Sequence, residues 1–298
     1  MRYKKIIYDV MLLSTIIFGL YSCSKEIQID LGEYEKKIVI EGYIENGEYP
    51  WCVLTYNQDY FGEINISMDD LSKLSDIFIM DATVIVSDGF IDDTLEFEMD
   101  PLVLQGKFIW PPVHYKGSKI IGETGRSYSL KVVYKDEEYT ATTSIPSLYD
   151  IDTCWFQLDP MAQNDSLGSI WTVIRDNPNE VNYYRYYTKR VGRDNYYAPG
   201  QMSIWDDRFF NGKDFEFVLF RGRSLEIDYG AEDPESGYFK LGDTVSIKAC
   251  TMDRDTFWFW YTLGNQQTLS NIQGGALGVW CGYGATYKTL LCKLNEEI

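Results

Sequence analysis

The stretch Ser127-Tyr128-Ser129-Leu130-Lys131-Val132-Val133-Tyr134-Lys135-Asp136-Glu137-Glu138-Tyr139-Thr140-Ala141-Thr142-Thr143-Ser144-Ile145 decides how this chain is built. Tyr128, Leu130, Val132 and Tyr134 alternate with Ser129, Lys131 and Val133. A period of two sets one row of side chains on a core and the other in solvent, the pattern of antiparallel sheet. The charged run Lys135-Asp136-Glu137-Glu138 makes the turn of a hairpin. Just upstream, the Gly-rich turn Gly122-Glu123-Thr124-Gly125 precedes Tyr128. A tyrosine opening a strand after such a turn resembles a tyrosine corner, whose hydroxyl bonds back to nearby backbone.

The same alternation recurs on both sides. Ala82, Val84 and Val86 show it, as do Leu95, Phe97 and Met99. Strands are predicted over 37–45, 51–57, 82–88, 93–99, 107–110, 127–135 and 138–145. Their spacing predicts an immunoglobulin- or fibronectin-like β-sandwich over 37–147, closed by Ile145-Pro146-Ser147. Ser67 to Ile77, with Leu71 and Leu74 three apart, reads as a short surface helix. A second β-rich domain is predicted over 148–298, with strands at 151–158, 169–175, 182–191, 202–205, 215–220, 243–250, 276–281 and 286–292. Within it, Asp253 to Ser270 carries aromatics at helical spacing, with Asp253 or Asp255 as cap. The fold class is therefore mainly β, with one short helix of about three turns packed on a sheet. Glycines at 274, 275, 278, 282 and 284 predict a bulged or tightly packed terminal strand pair, or else a docking loop.

Composition narrows the function classes. Of 298 residues, 45% are hydrophobic and 24% charged, the balance of a folded chain. Aromatics reach 16%, which favours β-structure and flat contact surface. Lys and Arg total 27 against 45 Asp and Glu, a formal charge of −18 that repels phosphate backbones and excludes nucleic acid as partner. The one histidine, His114, rules out His-pair metal motifs and reads as a structural residue at a loop or strand edge. The chain has no phosphate loop, dinucleotide fingerprint, nucleophile elbow or calcium loop, so no cofactor, metal or catalytic residue is predicted.

Residues 1–22 read as an export signal. Arg2, Lys4 and Lys5 precede an apolar run from Val10 to Leu20 that is too short to span a bilayer. The run ends in Leu20-Tyr21-Ser22-Cys23, which resembles a bacterial lipobox with Cys23 as the acylated residue. Residues 23–36 then form a tether to an outer-membrane lipid anchor. Lys25-Glu26 leaves surface and periplasmic facing both open. The five remaining cysteines are odd in number and read as small buried hydrophobes, with a Cys281–Cys292 bridge between neighbouring strands as the alternative.

Two stretches carry the candidate contact residues. In Tyr183-Tyr184-Arg185-Tyr186-Tyr187, Tyr184 and Tyr186 share one face of a strand, and Tyr183, Arg185 and Tyr187 share the other. One set fills core and the other lines a sugar- or peptide-binding surface; Tyr184 and Tyr186 are named as the candidate pair. Asp206, Asp207 and Asn211 read first as a capped turn before Asn211-Gly212 and second as a ligand or calcium site. Other carboxylate pairs, Asp69-Asp70 and Asp92-Asp93, are what chance produces among 45 acids.

The order of the landmarks resembles one family. A lipobox cysteine is followed by Lys37-Ile38-Val39-Ile40-Glu41-Gly42, then Tyr139-Thr140-Ala141-Thr142-Thr143-Ser144-Ile145-Pro146, Asp206-Asp207-Arg208-Phe209-Phe210-Asn211-Gly212-Lys213, and Asn271-Ile272-Gln273-Gly274-Gly275-Ala276-Leu277-Gly278-Val279-Trp280. This resembles the Bacteroidetes lipoprotein family called domain of unknown function 4249. The chain departs from the pattern at Trp280-Cys281, where Phe-Gly is expected. The resemblance implies no activity; it implies envelope work beside a TonB-dependent outer-membrane transporter. The expectation is a non-catalytic outer-membrane lipoprotein that partners such a transporter or binds a glycan or peptide. The alternatives are a surface adhesin or spacer, and a carboxylate-dependent glycoside hydrolase.

Overall fold

In chain order the first elements are β1 (Ile38–Glu45), β2 (Trp51–Tyr56), α1 (Leu74–Ile77), β3 (Thr83–Ser87), β4 (Asp92–Met99) and β5 (Val113–Lys116). Then come β6 (Ser127–Tyr134), β7 (Glu137–Ser144), β8 (Thr153–Leu158), β9 (Leu167–Arg175) and β10 (Tyr183–Arg190). The last are β11 (Ala198–Asp206), β12 (Asp214–Leu219), β13 (Phe239–Lys240), β14 (Thr244–Met252), α2 (Arg254–Thr262) and β15 (Leu277–Leu291). The structure is a computed structural model that describes residues 35–57, 74–100, 111–149, 151, 153–162, 164–223, 235, 237–265 and 267–294. Cys23, the 107–110 strand, Asp69-Asp70 and most of the 67–77 helix lie outside the described residues.

The β6–β7 hairpin forms in the register that its alternation demands, from Ser127↔Ser144 to Tyr134↔Glu137. Lys135 and Asp136 turn it, both at positive φ (49° and 64°), as a two-residue loop between right-twisted strands requires. Glu123 donates its backbone N–H to the Tyr128 hydroxyl at 2.7 Å, which closes the tyrosine corner.

β4 joins two layers. Its first half pairs with β3 (Val84↔Leu95 to Ser87↔Asp92) and its second half with β5 (Glu96↔Lys116 to Met99↔Val113). The first core therefore fills from both sides: Ile40, Ile44 and Leu54 from β1 and β2 meet Val84, Leu130 and Val132 from β3 and β6. Each fully buried side chain of this kind contributes roughly 1.5–3 kcal/mol. This is a sandwich-like packing inside a mainly β chain.

The two halves share a sheet. Its strand order is β11-β10-β14-β15-β1-β2-β5-β4-β3-β6-β7. β15 makes the connection, pairing parallel with β1 over Leu277–Tyr283 and antiparallel with β14 over Tyr283–Leu291. A smaller sheet of β8, β9, β12 and β13 covers β10 and β14 and encloses the second core, which includes Ile170, Tyr184, Tyr186 and Val245.

The expected strands 276–281 and 286–292 are one continuous strand. The glycines do not break it; they let another chain segment lie on it. A Cβ at Gly282 would stand 2.2 Å from the Ser144 carbonyl oxygen, and Gly278, at φ +108°, faces the Ile40 carbonyl oxygen. Trp280 is fully buried between them, its Nε1–H donating to the Tyr128 carbonyl at 3.0 Å. Its indole lies against Gly42, where a Cβ would come within 2.7 Å of the ring. The Trp in place of an expected Phe is thus accommodated by a glycine opposite it.

The five cysteines of the described residues are free, and four of them are buried, as small hydrophobes. The alternative of a bridge is corrected. Cys281 and Cys292 lie along and just beyond the same extended strand, roughly 35 Å of chain apart, so no bridge can close. β5 sets His114 inside a four-residue strand, an element absent from the strands expected from the sequence. α1 buries Leu74 against Val53 and Phe78, so it is not wholly a surface element. α2 is the expected short helix: its nine residues end at Thr262, and Gly264 follows at φ +88°. Asp253 caps it, accepting from Thr256 N–H at 2.8 Å, while its other oxygen accepts from Thr143 Oγ1 at 2.5 Å and Ser144 N–H at 3.0 Å.

Candidate binding site

Alternation along the strands of the large sheet decides what its second face carries. On β1, Ile40 and Ile44 enter the core, so Glu41, Tyr43 and Glu45 point the other way. On β2, Cys52 and Leu54 enter the core and Trp51, Val53 and Thr55 face out with Tyr43. On β10, Tyr184 and Tyr186 are 1% and 2% exposed inside the second core. Tyr184 borders a cavity of about 320 Å³ with Tyr149, Arg175 and Asn182, while the opposite set, Arg185 and Tyr187, lines a larger, aromatic one. The Tyr184 hydroxyl is spent on Asp176 Oδ1 at 2.5 Å, and Tyr186 donates to the Gln201 carbonyl at 3.3 Å.

The cavity has a volume of about 590 Å³, within the range of small-ligand sites. Tyr43, Trp51, Tyr187, Tyr196, Tyr197 and Trp260 supply its aromatic walls. Glu41, Asp100, His114, Lys116 and Arg185 supply its charged and polar groups. A second cavity of about 330 Å³ shares Tyr43, Trp51, Lys116, Tyr187 and Tyr197 with it and adds Glu45, Lys248 and Tyr283. The two are compartments of one groove on a sheet face.

The walls hold one another in place. Tyr43 packs on Trp51 with ring centroids 4.6 Å apart and on Tyr283 at 5.7 Å. Trp51 meets the His114 ring edge-on at 6.3 Å. The Tyr43 hydroxyl donates to Glu41, and the Tyr287 hydroxyl and the Lys248 ammonium both donate to Glu45. The Arg185 guanidinium lies 3.6 Å from the Trp260 ring centroid and 4.9 Å from that of Tyr187. Its Nη1 donates to the Tyr283 hydroxyl at 3.2 Å.

Burial sets the charge states. It raises the phenols of Tyr43 and Tyr283 well above their usual value, and pushes Tyr187 up to about 12. The thiols of Cys250 and Cys281, on the same sheet face, are likewise pushed up to about 12 by burial. Burial pulls His114 below the usual imidazole value, with Glu98 opposing it from 3.6 Å. Phenols and thiols held neutral in this way suit contact and hydrogen bonding; a phenolate or thiolate nucleophile would need the opposite shift.

Asp206, Asp207 and Asn211 form the turn between β11 and β12. Asp206 accepts from Arg208 Nε at 2.7 Å and Asp207 from the Asn182 N–H at 2.7 Å. Gly212 follows at φ +72°. None of the three lines the aromatic groove, and among the described residues no group of three His, Cys, Asp or Glu is placed to hold a metal ion. The groove residues Tyr43, Trp51, Trp260 and Lys116 were not singled out from the sequence. The signal available was the odd-numbered row Glu41, Tyr43, Glu45 opposite an aliphatic even row.

No curated protein matches the chain. A family model, domain of unknown function (DUF4249), matches residues 24–285, which take in the whole groove. The chain belongs to the DUF4249 family.

Proposed function

We propose that this chain is an outer-membrane lipoprotein, acylated at Cys23, that captures a small ligand and serves a TonB-dependent transport system without transforming what it binds. The observation that supports binding is the groove: about 590 Å³ of space walled by rigid aromatic rings, with charged groups converging on it. Tyrosine and tryptophan give large contact area at low entropic cost, which suits recognition of sugars or short peptides. The Leu20-Tyr21-Ser22-Cys23 box supports the anchor.

The test uses the full chain purified from membranes in mild detergent. Tryptophan fluorescence is followed during titration with a panel of neutral and acidic saccharides and short peptides. At least one member should bind saturably, and Trp51→Ala should weaken it at least ten-fold. No saturable binding by any member would overturn the binding reading. Cys23→Ser should release the protein from the membrane fraction; unchanged membrane retention would overturn the lipid anchor. A transporter co-purifying in equal amount is the result expected for the transport role, and its absence would remove that role.

A further inference from the structure

Arg185 stands apart from the other groups of the groove. Its side chain is buried, with the residue 8% exposed, yet it lines the cavity. The guanidinium is sandwiched by Trp260 and Tyr187, and its one side-chain hydrogen bond among the described residues goes to a neutral phenol, Tyr283. Among the described residues no carboxylate lies within ion-pair distance of it. Glu41, on the same cavity wall, accepts from Tyr43 instead. A guanidinium carries five N–H donors, and a buried charge without a counter-charge is costly. Aromatic faces compensate only part of that cost. The remaining donors suit an anion brought by the ligand.

We propose that the groove takes an acidic saccharide, with Arg185 receiving the carboxylate of its sugar ring while the aromatic walls receive the ring faces. This rests on reading the groove as a ligand site. A carboxylate matches a planar guanidinium with two parallel hydrogen bonds. A single carboxylate also suits the surroundings: the chain carries −18, so a multiply charged anion is repelled at long range. The body of the ligand follows from the position of the site. The groove lies on a sheet face and is walled by side chains, so an extended peptide finds no row of free backbone groups with which to pair. The faces of Trp51, Tyr43 and Tyr187, with Thr55, Glu41 and Asp100 as polar groups between them, suit a pyranose with its apolar faces and rim of hydroxyls.

The test titrates the full chain in mild detergent with three acidic saccharides: glucuronate-capped and galacturonate-capped disaccharides and sialyllactose. Each is compared with its methyl ester and its neutral parent sugar, and a tripeptide with a free C-terminus is included. The expected result is that at least one acid binds ten-fold or more tightly than its ester, and that Arg185→Met removes the preference. The ester comparison is made on the unaltered protein, so it stands whether or not the variant folds. Equal binding of acid and ester would overturn the inference while leaving the groove a ligand site. Binding of the tripeptide in preference to every acid would overturn the saccharide class. Failure of all these probes would overturn the inference, and the wider panel with Trp51→Ala would then decide the ligand reading separately.

Discussion

β10 carries two buried arginines five residues apart, and they are solved in opposite ways. Arg190 is 1% exposed, and its Nη2 and Nε reach Asp194 at 2.8 and 3.1 Å while Nη1 reaches Glu235 at 2.8 Å. Arg193 extends the network to Glu235 and Asp243. This charge is neutralised within the chain and ties the β10–β11 connection to distant segments. Arg185, on the opposite face of the strand, has rings around it and, among the described residues, no carboxylate within ion-pair distance. An arginine that brings its own counter-charges holds the fold together. One that lacks them at a cavity wall is kept for something else.

The comparison is testable in its energetics. Arg190→Met leaves the buried Asp194 carboxylate without its guanidinium, while Glu235 keeps Arg193, and should lower unfolding free energy by about 3–5 kcal/mol, the cost of breaking a buried ion pair from one side. A denaturant titration that shows less than about 1 kcal/mol of loss would break the distinction. Asp253→Ala probes another carboxylate satisfied within the chain, which caps α2 and holds Thr143 and Ser144. The loss should be about 1–2 kcal/mol, read as a lowered denaturation midpoint. Arg185→Met should behave differently. It removes an unpaired buried charge and keeps the length of the side chain, so stability should change by less than about 1 kcal/mol or rise. A fall as large as that of Arg190→Met would make Arg185 structural too.

The smallest expected effect is that of pH. Burial depresses His114, so the folded chain prefers the neutral ring. The stability linked to that preference is complete above the unfolded value of about 6.5 and is lost as pH falls through the lower folded value. Glu98, Asp100 and Lys116 act on the same ring, with the two acids opposing the depression. Thermal midpoints between about pH 5 and 6.5 should therefore slope downward with acid, and His114→Gln should flatten that slope. As the only histidine in the chain, His114 has no competing imidazole to mask the result.

Much of the fold was legible because period two is a local signal. β3, β4, β6 and β7 lie within a residue or two of their predicted bounds, and the Tyr128 corner closes as its turn residues imply. β15 was misread for a local reason as well: glycine lowers strand propensity, while Gly278 and Gly282 are there because Ile40 and Ser144 backbone passes too close for a Cβ. The candidate site was half legible. The sequence divided the tyrosines of β10 into two faces but contains nothing that says which face is covered.

What the sequence determined by itself is the period, and with it the strands, the hairpin turn, the acidic charge and the pairing of Arg185 with Tyr187 on one side of β10. Each of these depends on neighbours a few residues away. What only the tertiary structure decided is which side is the inside. That depends on the β8, β9, β12 and β13 sheet covering Tyr184 and Tyr186. It depends equally on β15 drawing β1 and β14 into one sheet, so that Tyr43, Trp51 and Arg185, far apart in the chain, meet across one cavity. Burial is a property of what lies opposite, and what lies opposite is set by long-range pairing.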